Sequence, residues 1–398
     1  MANLIENYTL CINCGSSSLK FSLYKAATCT LKLSGQVDRI GQENAALKIG
    51  DHAGRLLHSK TGHFPDFKAS ATEFINWLKT NNSHYNIQAI GHRLVQGGPK
   101  HRQPEIITPE LLDDLQQYIY LAPNHLPDEL NTIKTFGSAY PDATQVACFD
   151  TAFHRHMPDL AKNYPLPPQY LKKGLFKYGF HGLSYGFIMQ QLAAQHLPID
   201  EQKIIICHLG NGSSMAAVKK GISVDTTMGI SPIGGLVMAT RSGDLDPGVL
   251  LFLLKQYHMN PEELDDLLSK HSGLKAIAGN SDVQELLKAE PDDKSAETAL
   301  KVFCYSAKKH IGSLAAALQG LDMLVFTGGI GENSATIRAR ICLGLDFMGI
   351  DLDGQKNAKN ETIISKITSR VTVRVIKTNE ELMMAMITRD LLNSLNKQ

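Results

Sequence analysis

Two segments half a chain apart are built to one plan. YTLCINCGSSSLKFSLYKA, from Tyr8, sets an apolar run before a tip of small residues, Gly15-Ser16-Ser17, and then resumes strand-like alternation. IIICHLGNGSSMAAVKKG, Ile204 to Gly221, does the same around Gly212-Ser213-Ser214. Alternating hydrophobicity on both sides of a short Gly/Ser tip predicts a β-hairpin. A unit that occurs twice at such a distance is not a solenoid repeat, whose period is ~20–50 residues. The pair predicts a duplicated α/β domain, with two related lobes facing each other across a central cleft. The chain's 398 residues are enough for two such domains at ~100–200 residues each.

The intervening pattern is that of an α/β protein. Thr72 to Lys79 and Pro109 to Tyr118 read as helices, and QVACF, Gln145 to Phe149, as a buried strand ending at Asp150. Asn260 as N-cap and Pro261 at the first helical position open a helix through Leu268. A long periodic helix runs from Ser295 to Gln319, with Gly320 as its stop. The strand LDMLVFTGG, a glycine-rich turn and a helix from near Asn333 follow. The loop-like stretch YPLPPQYLKKG, Tyr164 to Gly174, lies just after Asp150. The expected division is therefore 1–150 and 151–381, with 382–398 returning to the first lobe.

Composition removes several classes of function. With 40 Lys+Arg against 39 Asp+Glu the formal net charge is +1, too little for the sustained positive field of non-specific nucleic-acid binding. The longest apolar run, from Val249, is cut off by Lys255, far short of the ~18–20 residues of a membrane span. MANLIENYTL has neither the basic start nor the apolar core of an export leader. The 7 cysteines are odd in number, and Cys148, Cys207 and Cys304 lie in apolar runs, which suits reduced thiols in a cytoplasm. Cys11 and Cys14 form a C-x-x-C, but without a partner C-x-x-C a redox or zinc role is weakly motivated.

Three tips carry the chemistry: NCGSSSLK, HLGNGSS and TGGIGEN. Any one of them reads as a turn, but together they suggest glycine-lined backbone that lets N–H groups approach phosphate oxygens. Neither a P-loop nor a dinucleotide fingerprint is present. Arg93 in HRLVQGG and Arg241 in TRSGD sit among glycines, where a guanidinium fork can reach a carboxylate or a phosphoryl group; a structural ion pair is the plainer reading of each. His181, between Gly179 and Gly182, is either a packed core histidine or a ligand-facing one. Asp150 stands where open α/β sheets place ligand chemistry. Thr378 and Glu381 have capping-box spacing, so Glu380 and Glu381 serve either a helix start or a metal. Lys20 is either a partner for phosphate or an ordinary strand lysine.

In order along the chain, NCGSSSLK (from Asn13), GHRLVQGG (Gly91), LAPNH (Leu121), FDTAFHRHMP (Phe149), YGFHGLSY (Tyr178), HLGNGSS (His208), SVDTTMG (Ser223), ATRSGDLDP (Ala239), FTGGIGENS (Phe326) and TNEELM (Thr378) resemble the acetate kinases. These belong to the superfamily of sugar kinases, actin and heat-shock chaperone ATPases. The resemblance implies two actin-like, ribonuclease-H-like lobes and reversible, direct in-line phosphoryl transfer from ATP to acetate. It implies catalytic roles for Asp150, His181 and Arg241, and substrate contacts from Arg93, Val95, Asn124, His125, Phe180 and Pro232. ATP or ADP would be held by Ser16, Ser18, Lys20, His208, Leu209, Gly210, Asn211, Gly212, Asp282, Val283, Gln284, Gly329, Ile330, Gly331, Glu332 and Asn333. Asn13 and Glu380 would hold Mg2+, with Mn2+ as an alternative, in a cytoplasmic homodimer. A substrate carboxylate is already a nucleophile at neutral pH, so Asp150 reads as an orienting group rather than an obligatory base.

The chain departs from the family pattern at Gln96, Asn124, Leu183, Tyr185, SPIGGL (from Ser231) and Gln284. A polar amide at Asn124, where the acyl methyl would lie, would cost affinity unless it finds a partner. The rival readings are a propionate or butyrate kinase and an actin-like switch ATPase.

Overall fold

A computed structural model describes residues 6–82 and 85–395, so part of the segment read for an export leader lies outside it. Contacts divide the described residues into two compact units, one within 1–152 and 379–398 and the other within 153–378.

In the first unit the predicted hairpin forms as β1 (Asn7–Cys14) and β2 (Ser18–Lys25), paired antiparallel with Asn13 opposite Lys20. The meander continues through β3 (Leu31–Asp38), β4 (Ala45–Asp51) and β5 (Leu56–Gly62). On the other side of β1 the parallel strands β6 (Asn86–Leu94) and β8 (Thr144–Phe149) follow, with the short β7 (Glu105–Ile106) at the edge. The sheet order is β5-β4-β3-β2-β1-β6-β8-β7. Helix α1 (Phe67–Asn81), capped by Asp66, buries Phe67, Ala71, Phe74 and Leu78 at helical spacing, and Phe74 stacks on Phe21 with ring centroids 3.6 Å apart. Helices α2 (Pro109–Gln117) and α3 (Leu126–Ala139) complete this layer.

In the second unit α4 (Gly182–Ala194) precedes a repeat of the design. β9 (Lys203–Leu209), β10 (Ser213–Lys219) and β11 (Ile222–Thr226) form the antiparallel meander; β12 (Met323–Thr327) and β13 (Thr372–Val375) add in parallel beside β9. The order β11-β10-β9-β12-β13 reproduces β3-β2-β1-β6-β8 strand for strand and direction for direction. The duplication inferred from two hairpin tips is thus a duplication of topology.

Helices α5 (Pro247–Gln256) and α6 (Pro261–Lys270) precede the long α7 (Lys294–Leu318); in α6, Asn260 and Glu263 form a complete capping box. α7 buries Ala296, Leu300, Phe303, Ala307, Ile311, Leu314 and Leu318, a single apolar stripe. Its left-handed stop is Gln319 rather than Gly320. The glycine-rich turn expected after β12 is itself a short helix, α8 (Gly328–Asn333), and the next, α9 (Ala335–Cys342), starts two residues later than expected behind the Ser334 cap. The final helix, α10 (Glu380–Leu395), belongs to the first unit and packs on β1 and β6. Gly91 makes that approach possible, since a Cβ there would lie 2.7 Å from Thr388 Oγ1.

Candidate active site

Three candidate residues of the first unit lie at the carboxyl ends of its parallel strands: Asn13 closing β1, Arg93 near the end of β6 and Asp150 just beyond β8. This is where parallel α/β sheets place ligands. Arg93 donates to Asp150 Oδ2 from Nε at 3.0 Å and from Nη2 at 2.6 Å, and from Nη1 to Asn13 Oδ1 at 3.1 Å and the Cys14 carbonyl at 3.4 Å. Burial disfavours the guanidinium charge, but Asp150, Glu380 and Glu129 outweigh it and hold the Arg93 pKa above its ordinary value. The longer Nη1 bonds mark the donor that most easily turns to a substrate.

Asn13 Nδ2 donates to Glu380 Oε2 at 3.3 Å and to Glu381 Oε1 at 3.1 Å. Of the two readings left open, the capping box from Thr378 does not form; Asn379 Oδ1 caps α10 by accepting from the Leu382 amide at 2.9 Å. Both glutamates are therefore turned to Asn13. Asn13 and Glu380 offer hard oxygen donors, the set Mg2+ takes when it binds through one or two protein groups and keeps its waters. Among the described residues no group of three or more His, Cys, Asp or Glu side chains is placed as a metal cage. The donor chemistry fits the ion.

Glu129 on α3 was not singled out in the sequence. It is 2% exposed, and both its oxygens accept from the Val95 amide, at 3.2 and 3.3 Å. Burial pushes its pKa up to about 8, with Arg93 the main opposing influence. Val95 itself is buried, His125 precedes the first turn of α3, and Asn124 is exposed. Gln96 is buried with Oε1 accepting from Gly98 N, while its Nε2 has no partner. Ser16 and Lys20 are exposed, and Ser18 closes the tip by accepting from Gly15 N through its carbonyl.

In the second unit, His181 heads α4 and Arg241 lies in the loop before α5, its Nη1 donating to the Pro232 carbonyl at 3.2 Å. Their convergence is read most directly at Gly212: a Cβ there would sit 3.2 Å from His181 Nε2 and 3.3 Å from Arg241 Nη1. His208 stacks on His181 with centroids 4.6 Å apart. His181 Nδ1 shares a hydrogen bond with Ser214 Oγ, and His208 Nδ1 with Ser184 Oγ. Gly212→Ala therefore pushes a methyl into the space both side chains serve. The expected result is a kcat lower by roughly 10- to 100-fold with a melting temperature near that of the parent, checked by steady-state kinetics beside thermal denaturation.

The third tip adjoins the second, since a Cβ on Gly210 would lie 4.0 Å from the Gly329 amide. Leu209 and Gly331 are buried, while Asn211 and Gly329 are exposed. The Glu332 carboxylate turns inward and accepts from Gly328 N at 2.9 Å and Thr378 N at 3.0 Å, and Asn333 Nδ2 donates to the Gly329 carbonyl. Arg338, fully buried, fastens this helix by donating to the carbonyls of Gly331 and Glu332 and to Asn357 and Asn360. Asp282 caps the helix from Val283, whose side chain enters the core, leaving Gln284 exposed. Phe180 is buried, and His154 bonds to its carbonyl.

Cys11 and Cys14 are three apart on one strand, hence on opposite faces, and both are buried; burial pushes Cys14 up to about 12 and Cys11 well up. The redox and zinc readings fall. All seven thiols are free, and among the described residues no helix is long and apolar enough to cross a membrane.

Residues 8–386 match the family model described as "Acetokinase family". The acetate kinase of Shouchella clausii is 42% identical over 94% of this chain and 97% of that protein, and the acetate kinase of Thermoanaerobacterium thermosaccharolyticum is 42% identical over 97% and 99%. Among solved structures, a propionate kinase from Francisella tularensis has a TM-score of 0.90 at 35% identity, covering 96% of this chain and 99% of that one. The acetate kinase of Porphyromonas gingivalis has a TM-score of 0.86 at 36% identity, covering 97% and 100%.

Proposed function

The chain belongs to the acetokinase family, and on that premise we propose that it moves the γ-phosphoryl group of ATP reversibly to acetate, giving acetyl phosphate and ADP. It is a phosphotransferase with a carboxyl group as acceptor. The observation that carries the chemistry is the convergence of His181 Nε2 and Arg241 Nη1 on the space beside Gly212. In phosphoryl transfer catalysis is mostly positioning and stabilisation of charge on the equatorial oxygens, and these two donors are suited to that task.

Arg93 holds the acceptor carboxylate through its Nη1 edge, while Asp150 fixes the guanidinium by the bonds to Nε and Nη2. The family likeness assigns Val95, Asn124, His125, Phe180 and Pro232 to the acceptor, and the tips at Ser16, Gly210 to Gly212 and Gly329 to Asn333 to the nucleotide. Asn13 and Glu380 would hold Mg2+, which when bound neutralises phosphate charge. The acceptor is already anionic, so no general base is assigned.

The family likeness, together with an apolar helix that buries nothing of its own, supports a homodimer: α5 has no buried residue, with Leu251 52% and Phe252 56% exposed. Phe252→Asp is expected to convert a dimer to a monomer, read by light scattering on a sizing column. Free, buried thiols support a cytoplasmic setting.

The decisive assay measures ADP release and hydroxylamine-trapped acyl phosphate with Mg-ATP and acetate, propionate, butyrate or no acceptor. Acetate-dependent turnover supports the reading. Preference for propionate would favour the second reading, motivated by the Francisella structure; ATP hydrolysis indifferent to every acceptor would overturn both.

A further inference from the structure

His181 Nδ1 and the hydroxyl of Tyr185 meet on one oxygen. Ser214 Oγ lies 2.6 Å from His181 Nδ1 and 2.5 Å from Tyr185 Oη. Ser214 and Tyr185 are fully buried, and Tyr185 stands four residues after His181, one turn along the head of α4. A serine hydroxyl has one proton to give and lone pairs to receive. The phenol is the more acidic hydroxyl of the two, so the favoured order runs from Tyr185 O–H to Ser214 Oγ and from Ser214 O–H to His181 Nδ1. A neutral imidazole that accepts at Nδ1 carries its proton on Nε2. Nε2 is the atom beside the Gly212 space and Arg241.

We propose that Tyr185 is a positioning residue of the phosphoryl-transfer site, acting through Ser214 to hold His181 as the neutral Nε2–H tautomer. The imidazole then donates to a phosphoryl oxygen without having to be protonated. Arg241 and the stacked His208 both lie against His181, so a neutral donor avoids crowding a second cation against the guanidinium; Tyr185 itself faces His154. Tyr185 was one of the departures from the family pattern noted in the sequence, and its geometry gives that departure a task. The proposal rests on the reading of His181 as a donor to the transferring group.

Without the phenol, Ser214 is free to accept from Nδ1–H. Neutral His181 then divides between tautomers, and Nε2–H is guaranteed only in the imidazolium form. The test is the pH dependence of kcat for the parent, Tyr185→Phe, Ser214→Ala and the double variant. In both single variants kcat should approach the parent as falling pH protonates His181 and lie roughly 2- to 5-fold below it at about pH 8.5, the loss that dividing neutral His181 between two tautomers allows. KM for ATP and acceptor should stay within about threefold, and the double variant should be no worse than either single one. A deficit of the same size at every pH, no deficit, or multiplicative losses would overturn the relay. Nitrogen-15 spectra of the parent protein, with His181 assigned by His181→Gln, decide the tautomer without relying on any variant's activity: a proton on Nε2 supports the relay and a proton on Nδ1 sinks it. Failure of the underlying reading looks different, as full kcat in His181→Ala or a parent that forms no acyl phosphate.

Discussion

Arg241→Ala is expected to lower kcat for acyl phosphate formation by roughly 10³-fold, the scale on which an arginine serves a transferring phosphoryl group. The side chain is half-buried in a loop, and its Nη1 bonds to a backbone carbonyl. Because the side chain lies in a half-buried loop rather than in the packed core, the fold should keep its melting temperature within a few degrees. KM for acetate should change far less than kcat, because the loss falls on the transition state rather than on the bound acceptor. Arg241→Lys should recover only a small part of the rate, since a point charge cannot span two oxygens as a planar fork does. Steady-state kinetics in both directions, with thermal denaturation beside them, checks the result; a variant with kcat within tenfold of the parent would remove Arg241 from the mechanism.

Glu129→Gln should change how stability depends on pH. The Glu129 carboxyl is pushed up to about 8 by burial, while in the unfolded chain it titrates near the ordinary ~4.3. Below that lower value both states hold the proton and the group is neutral to stability. Between the two values the folded state keeps a proton the unfolded state has released, so stability falls as pH rises, at ~1.4 kcal/mol per unit at most. Above pH 8 the loss is complete and flat, on the order of a few kcal/mol. Glutamine preserves an acceptor for the Val95 amide and has no proton to release. The variant should match the parent near pH 4 and exceed it at pH 8 to 9 in denaturant titrations; parallel stability curves would show that Glu129 is not held protonated.

The readable part of this molecule was its repetition. The two Gly/Ser tips carried the duplicated topology because a hairpin declares itself within a few residues, through alternation and a tip of small side chains. Asn260 and Pro261 likewise announced α6, since capping is local chemistry. Where the sequence misled, a neighbour in space decided the matter. Thr378 and Glu381 had the spacing of a capping box, but Asn379 took the cap and released both glutamates toward Asn13. Arg338 and Glu129 gave no local signal, because their importance lies in burial: an arginine in IRAR looks like any exposed helix arginine until Gly331, Asn357 and Asn360 close around it. Tyr185 was visible as a departure but not as a partner of His181, since Ser214, the atom between them, comes from a different strand.

The placement of α10 also orders events during synthesis. The second unit, 153–378, is continuous and can complete its core while the chain is still being made. The first unit cannot, because β1 and β6 wait for Met384 and Ala385 of α10 to cover them. Asn13 meets Glu380 and Glu381 only after the whole of the second unit between them has been made. A chain cut between the two units' last segments, after residue 378, would therefore have a finished second unit and a first unit whose Asn13 lacks both glutamate partners.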